Sequence, residues 1–234
     1  MNTVYHYQEI ICLQTESPLA SELLLRTHNQ YSLSDMLLQP ELFEEYIDEL
    51  VKAKLKASAA LWETTKTSAI FLNFTSAQLT HPHFREVSKQ LSRSTGNGRL
   101  FCIEVTEDVK SDQWALMESN LMYAKSQNLL VAIDDFGKGY SNFSRLLSLS
   151  PDIVKLDNQY IDRATKSRTD REAFFRLVEF LQDLNSKVVV EGIENDTAKK
   201  IAKQSNAELG QGYALHMPSP IQFVDTTALS LSTP

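Results

Sequence analysis

Short apolar runs alternate with longer amphipathic stretches along most of this 234-residue chain, and this alternation limits the folds open to it. Eight runs have the length and composition of β-strands: residues 4–13, 19–26, 69–74, 99–105, 129–134, 152–156, 187–192 and 207–213. Helical periodicity lies between most of them, including residues 40–55, 111–126 and 170–184. Eight strands alternating with helices predict an α/β fold, a (β/α)8 or TIM barrel. An open doubly wound sheet is the main alternative.

The first connection departs from strict alternation. Only residues 14–18 join the first two predicted strands, and a helical crossover between parallel strands needs a dozen residues or more. These two strands are therefore predicted to pair antiparallel. No linker-like segment divides the chain.

Composition argues against several classes of partner. The formal net charge is −7 and the isoelectric point about 5.3, so no direct binding to nucleic acid or to an anionic membrane surface is expected. No apolar run approaches a membrane span of about 18 residues, and the first residues lack the pattern of a signal peptide. Cys12 and Cys102 have no metal-ligand spacing and are predicted to be reduced thiols in a cytoplasmic protein.

Most of the predicted strands end on a carboxylate, an amide or a lysine. Asp134 and Asp135 directly follow one apolar run, and Glu104 and Glu107 close another. The remaining polar residues at strand ends are Glu22, Arg26, Asn73, Lys155, Asp157, Glu191, Glu194 and Gln211. In a barrel the carboxyl ends of the strands converge on one mouth, so these groups are predicted to share a pocket.

Such an acidic pocket needs cations, because neighbouring carboxylates repel and each is costly to desolvate. Oxygen ligands suit Mg²⁺ or Mn²⁺, and two adjacent aspartates can flank a metal pair about 3.5–4 Å apart of the kind that hydrolyses phosphodiesters. Each of these strand-end residues can also have a purely structural role, without a metal. An acid after a strand is often a helix N-cap, and Lys155 in an apolar strand can snorkel to the surface. The repetition at six strand ends favours the metal site.

These polar residues lie in seven segments: ELLLR, LNFTSAQL, IEVTED, IDDFGKGYSNFSRL, PDIVKLD, VVVEGIEN and LGQGYALHMPSP. In this order they resemble the segments E-A-L-L-R, N-L-S-P-x-Q-L, E-L-T-E, D-D-F-G-T-G-Y-S-S-L, the K-I-D strand, A-E-G-V-E and Q-G-Y-x-x-x-x-P of the EAL domain, a bacterial phosphodiesterase that opens cyclic di-GMP to linear pGpG. The resemblance covers nearly the whole chain.

This resemblance implies a modified TIM barrel with one antiparallel strand, in a single domain over residues 1–234. It also implies a cyclic di-GMP phosphodiesterase that depends on two Mg²⁺ or Mn²⁺ ions. The implied ligands of one ion are Glu22, Asn73, Glu104 and Asp134. Asp134 would bridge to the second ion, which Asp135 also holds.

The resemblance assigns further roles around this metal pair. Lys155, Asp157 and Glu191 would bind or orient the attacking water and the second ion, and Gln211 would complete the reaction centre together with Glu22. The implied substrate contacts are Gln8, Leu25, Arg26, Asp157 and Gln211, with Arg26 on a phosphate. Glu107 would anchor the glycine-rich loop 136–143, which couples dimerisation to metal binding in the family, so a homodimer is expected.

Two departures from the family pattern leave the ligand set complete. Leu23 replaces the family's alanine, and since neighbours in a strand face opposite sides, it is expected to point to the helix layer. Lys138 replaces a small residue or threonine, and it either attracts phosphate or alters loop docking. A stand-alone active enzyme is therefore favoured. The alternatives are an inactive EAL-like module that binds cyclic di-GMP or a regulatory protein, and an unrelated TIM-barrel metal enzyme acting on another phosphate ester.

Overall fold

The computed structural model describes residues 2–96, 98–106, 113–138 and 143–222. Ten strands form one sheet. They are β1 (Thr3–Cys12), β2 (Pro18–His28), β3 (Tyr31–Ser32), β4 (Ala69–Asn73), β5 (Leu100–Thr106), β6 (Leu130–Phe136), β7 (Ile153–Leu156), β8 (Lys187–Val190), β9 (Leu209–Gly210) and β10 (Ser219–Pro220). Eight of them close into a barrel in the order β1-β9-β8-β7-β6-β5-β4-β2, because β2 pairs back onto β1. The short strands β3 and β10 extend β2 and β1 outside this ring.

The barrel is parallel except at its first strand. β1 runs antiparallel to both β2 and β9, whereas the other neighbours in the ring pair in parallel. The predicted antiparallel pairing of the first two strands and the modified TIM barrel are both confirmed. The connection between them is a tight turn in which Glu16 has a left-handed backbone (φ 55°).

Helices surround the barrel: α1 (Leu33–Leu38), α2 (Glu41–Glu45), α3 (Ile47–Thr64), α4 (Ser76–Thr80), α5 (Phe84–Ser94), α6 (Trp114–Ser126), α7 (Phe143–Leu149), α8 (Asn158–Lys166), α9 (Arg168–Asp183) and α10 (Asp196–Gln204). The single helix predicted over 40–55 is wrong in its bounds. Tyr46 leaves helical geometry (φ −101°, ψ 20°) and divides the segment into α2 and α3, and α3 then continues to Thr64. The predicted strands 187–192 and 207–213 are also too long, because their polar ends lie in the loops of the barrel mouth.

Two of the apolar clusters formed by the described residues hold the barrel and its helices together. The larger cluster lies between the barrel and the helices and includes Leu23, which is 1% exposed. The smaller cluster fills the barrel interior with side chains from all eight ring strands: Ile10, Ala20, Ala69, Phe71, Cys102, Ala132, Ile153, Val189 and Leu209. Leu23 therefore packs in the helix layer, as its position beside Glu22 predicts.

In the parts of the chain that the structure describes, every helix falls short of the length and apolar character that crossing a membrane requires.

Candidate active site

The strand period places the polar residues at the barrel mouth. Side chains two positions apart on a strand face the same side, so the residue two positions beyond each interior apolar residue also points inward. Glu22 lies two positions beyond the interior residue Ala20, and Lys155 lies two positions beyond Ile153. The same step reaches Asn73, Glu104 and Asp134 on their strands. Glu191 and Gln211 also line the mouth, each one residue beyond the end of its strand. On the antiparallel strand β1 the direction reverses, and Gln8 lies two residues before Ile10.

A buried lysine lies at the centre of this group. The Lys155 side chain is 1% exposed, and its Nζ contacts one oxygen of each of four carboxylates. The Nζ–O distances are 2.8 Å to Glu104, 2.9 Å to Asp134, 3.0 Å to Glu191 and 3.2 Å to Glu22. One ammonium therefore faces four acids, which leaves the mouth strongly electronegative.

Burial and these contacts shift the pKa values of the cluster in different directions. Burial alone would lower the pKa of Lys155, but the surrounding carboxylates raise it well above its usual range. Burial opposes ionisation of Glu22, yet Lys155 and the amides of Gln211 and Asn73 hold its pKa below its usual range. Burial, more than any other effect, raises the pKa of Glu104 and of Asp134 and brings that of Glu191 to about 7. Burial thus opposes ionisation of these three acids, and a bound cation would favour it.

Two amides fix the orientation of Glu22. Asn73 Nδ2 donates to Glu22 Oε1 at 2.7 Å, and Gln211 Nε2 donates to Glu22 Oε2 at 2.8 Å. Gln211 Nε2 also approaches Gln8 Oε1 at 3.2 Å, and Gln8 donates to the carbonyl of His216 at 2.9 Å. The amides of Gln211 and Gln8 therefore connect Glu22 to the C-terminal part of the chain at His216.

A β-bulge brings Asp134 and Asp135 to the same cavity, although neighbours in a regular strand face opposite sides. Ile133 pairs with Val154 and Phe136 pairs with Leu156, so the β6 strand carries one extra residue between the two pairs. Asp135 takes a left-handed backbone there (φ 54°). Both aspartates consequently line one cavity of about 300 Å³, together with Lys138, Lys155 and Glu191.

The donor set fits a divalent cation in its chemistry. Glu104 Oε2 is buried and has no hydrogen-bond partner among the described residues, and an unpaired buried oxygen of this kind is costly unless it binds a cation. Mg²⁺ and Mn²⁺ prefer oxygen ligands of the kind that this mouth offers. These are the carboxylates of Glu22, Glu104 and Asp134 and the amide of Asn73. Within the described ranges the acids are arranged about the Lys155 ammonium, and no three His, Cys, Asp or Glu side chains enclose a position for a metal ion.

The remaining predicted residues are distributed around this cavity. Asp157 lines it and also caps α8, since its carboxylate accepts from Gln159 N at 2.9 Å. Leu25 and Arg26 line an adjoining, mainly apolar cavity of about 420 Å³, which also reaches Glu22 and Asn73. Glu107 and residues 139–142 of the glycine-rich loop lie outside the described residues, so the predicted anchoring role of Glu107 stays a prediction.

The sequence interpretation missed Lys54. Its Nζ donates to the Asn73 carbonyl at 2.6 Å and lies 3.6 Å from the centroid of the Phe74 ring. Burial lowers its pKa to about 7. Lys54 falls in the apolar stripe of α3 with Val51, Ala57 and Leu61, and a lysine at a core-facing helical position is the signal that indicates it.

The fold and the site together define a modified (β/α)8-barrel protein with an acidic, oxygen-rich mouth. The EAL domain family model matches residues 2–218. This chain therefore belongs to the EAL domain family.

Individual relatives agree with this assignment. A standalone versatile EAL protein from Vibrio cholerae O395, solved in a c-di-GMP-bound form, is 24% identical with a TM-score of 0.77 and matches 93% of this chain and 92% of that one. The cyclic di-GMP phosphodiesterase NbdA of Pseudomonas aeruginosa is 33% identical over 122 residues, 51% of this chain and 15% of that protein. An uncharacterized protein of Azorhizobium caulinodans is 26% identical over 228 residues, 92% of this chain. This chain spans 31% of that protein's length.

Proposed function

We propose that this chain hydrolyses a phosphodiester bond of cyclic di-GMP to give linear pGpG, as a metal-dependent phosphodiesterase in a single domain over residues 1–234. The observation that carries the proposal is the convergence of Glu22, Glu104, Asp134 and Glu191 on Lys155 at one barrel mouth. Membership of the EAL domain family and relatives named as cyclic di-GMP phosphodiesterases support the same substrate.

Two Mg²⁺ or Mn²⁺ ions are the proposed cofactors. The residues that would hold one ion are Glu22, Asn73, Glu104 and Asp134, with Asp134 and Asp135 holding the other. Bound divalent ions would neutralise the phosphodiester charge and acidify the attacking water. The hydrogen bonds from Asn73 and Gln211 keep both oxygens of Glu22 in fixed directions for this role.

The other side chains would position substrate and water. Lys155 neutralises acids that would otherwise repel an anionic substrate, and Glu191, which is 19% exposed at the rim, would accept a proton from water with Asp157 nearby. Gln8 and Gln211 would orient the substrate from the C-terminal side of the mouth. Leu25 and the Arg26 guanidinium would contact it from the adjoining cavity, Arg26 at a phosphate.

A cytoplasmic homodimer is the proposed working form. An exposed apolar patch on α7 and α9 supports the dimer: Phe143, Leu147 and Phe180 are 50%, 56% and 40% exposed. The rings of Phe143 and Phe180 contact edge to face, with centroids 5.9 Å apart. Apolar patches that persist on a folded surface commonly mark interaction sites. This patch begins at the residue that ends the glycine-rich loop, so dimer contacts and the loop are adjacent in the chain.

The test is hydrolysis of cyclic di-GMP in Mg²⁺ or Mn²⁺, with the products separated by chromatography. Glu22→Gln and Asp134→Asn remove a charge from the mouth with little change of shape, and Glu86→Gln on the exposed face of α5 is the matched control. We expect conversion to pGpG by the parent chain and the control, a loss of at least about 100-fold in both mouth variants, and inhibition by a chelator.

No product from a folded parent chain that binds Mn²⁺ would contradict the phosphodiesterase. Retained binding of cyclic di-GMP under those conditions would instead indicate a nucleotide-binding EAL module. Full activity of Glu22→Gln and Asp134→Asn would place the reaction elsewhere.

A further inference from the structure

Lys138 pairs with the second of the two adjacent aspartates. Its Nζ lies 2.9 Å from Asp135 Oδ2, and both side chains line the same cavity as Asp134 and Lys155. Lys155 contacts Asp134 at 2.9 Å. Each member of the Asp134–Asp135 pair therefore has its own lysine partner, and these contacts compensate for the repulsion between the two carboxylates.

The turn that carries Lys138 is held by several contacts. Lys138 N donates to Asp135 O at 3.1 Å, and the Gln159 side chain donates to the Gly137 carbonyl. Tyr160 packs so closely over Gly137 that a Cβ there would lie 2.1 Å from its Oη. Because α8 holds this turn from two consecutive residues, the Lys138 backbone has a defined position beside Asp135 rather than that of a loose surface residue.

The two aspartates differ in how accessible their cation partners are. Lys155 is 1% exposed and bound by four acids, whereas Lys138 is 65% exposed and Asp135 35% exposed. Exposed ion pairs are weak, since water and salt screen them. Breaking the contact between Lys138 and Asp135 therefore costs little free energy. While the contact is made, the Lys138 ammonium occupies one oxygen of the Asp135 carboxylate.

We infer that Lys138 is a built-in competitor of the divalent ion at Asp135, so that it weakens binding of the second ion and raises the free divalent-ion concentration needed to fill that position. This inference rests on the proposed function, because it concerns the second ion of the same site. The sequence left two interpretations of Lys138 open, attraction of substrate phosphate and altered loop docking. The contact with Asp135 adds a third, an effect on the second aspartate.

The test is a Mn²⁺ titration of the full chain, with free Mn²⁺ measured by electron paramagnetic resonance. Lys138→Met removes the competing ammonium and keeps the length of the side chain. Lys89→Met is the matched control, because Lys89 also forms an exposed pair with an acid three residues earlier, Glu86. We expect Lys138→Met to tighten binding of the weaker ion by about twofold to fivefold, the range that an exposed ion pair can supply, while the control leaves it unchanged.

A double-mutant cycle separates competition from a general effect of charge. In an Asp135→Asn background, Lys138→Met should give little further gain, because the shared carboxylate is gone. An equal gain in both backgrounds, or no gain in either, would overturn the inference while leaving the phosphodiesterase intact. If neither parent nor variant binds Mn²⁺ or hydrolyses cyclic di-GMP, the proposed function fails and the inference with it.

Discussion

At the scale of single residues, Lys155 determines the electrostatics of the mouth. Four carboxylates meet its ammonium at 2.8–3.2 Å, and burial raises the pKa of Glu104, the least exposed of them at 1%. Buried carboxylates of this kind are tolerated only when a cation compensates them. Lys155, which is proposed to act in catalysis, is thus also expected to stabilise the metal-free fold.

Lys155→Met should destabilise the metal-free protein strongly, because it leaves buried acids without their cation. We expect a loss of about 3–5 kcal/mol in the free energy of unfolding at pH 7.5, measured by urea denaturation in the presence of a chelator. The loss should shrink as the pH falls toward 5, since protonation of Glu191, whose pKa is about 7, then removes part of the unpaired charge. The control is Lys166→Met, an exposed lysine on α8. A loss below about 1 kcal/mol would contradict this role for Lys155.

At the scale of elements, the end of β6 decides whether both aspartates reach the site. The bulge between Ile133 and Phe136 and the left-handed Asp135 turn the second carboxylate toward the cavity. Gly137 follows with φ 96° directly under Tyr160, and α8 begins one residue after its cap at Asp157. Strand β6, its bulge and α8 therefore form one structural unit that holds the acidic pair.

Gly137→Ala tests this unit. The new Cβ would lie 2.1 Å from Tyr160 Oη and the backbone has a left-handed φ, so both a clash and backbone strain are introduced. Gly98→Ala is the matched control, because Gly98 also has a positive φ (76°) but nothing lies within 4 Å of the position of its Cβ. We expect a loss of about 1 kcal/mol for the control and of a further 1–3 kcal/mol, roughly, for Gly137→Ala, measured by urea denaturation. Equal losses would show that Tyr160 moves aside freely.

At the scale of the whole molecule, closure of the barrel brings distant parts of the chain together, and an exposed apolar patch provides the proposed dimer surface. The antiparallel β1 closes the ring between β2 and β9, so the first and last strands of the barrel meet, and Gln8 reaches Gln211 across 203 positions. On the outer surface, Phe143, Leu147 and Phe180 remain exposed. These residues form the patch that is proposed to bind a second copy of the chain.

Leu147→Glu should abolish the dimer, because it places a charge in the proposed apolar interface, where burial without a partner is costly. The measurement is light scattering coupled to size-exclusion chromatography, with the mass expected to halve. Leu38→Glu, at an 82% exposed leucine on α1, is the control and should leave the mass unchanged. A parent chain that is already monomeric at all concentrations would contradict the dimer.

The pattern of the sequence anticipates the barrel, the antiparallel first pair and the polar strand ends, because each depends on local periodicity or on the length of a connection. It misses the break at Tyr46 and extends β8 and β9 too far, because tertiary contacts decide how far an element extends. It does not reveal Lys54 under Asn73 either, because the partner of a buried lysine lies on another element.

The sequence by itself determined which strand residues point toward the mouth: a period of two places a polar residue two positions beyond an interior apolar one, as with Lys155 after Ile153. Only the tertiary structure decided which charges meet. Lys155 and Glu22 lie 133 positions apart, and closure of the ring brings them within 3.2 Å. The bulge at Asp135 likewise depends on pairing with β7. Charge compensation acts through space over a few ångströms, and the order of residues along a chain does not specify distances of that kind.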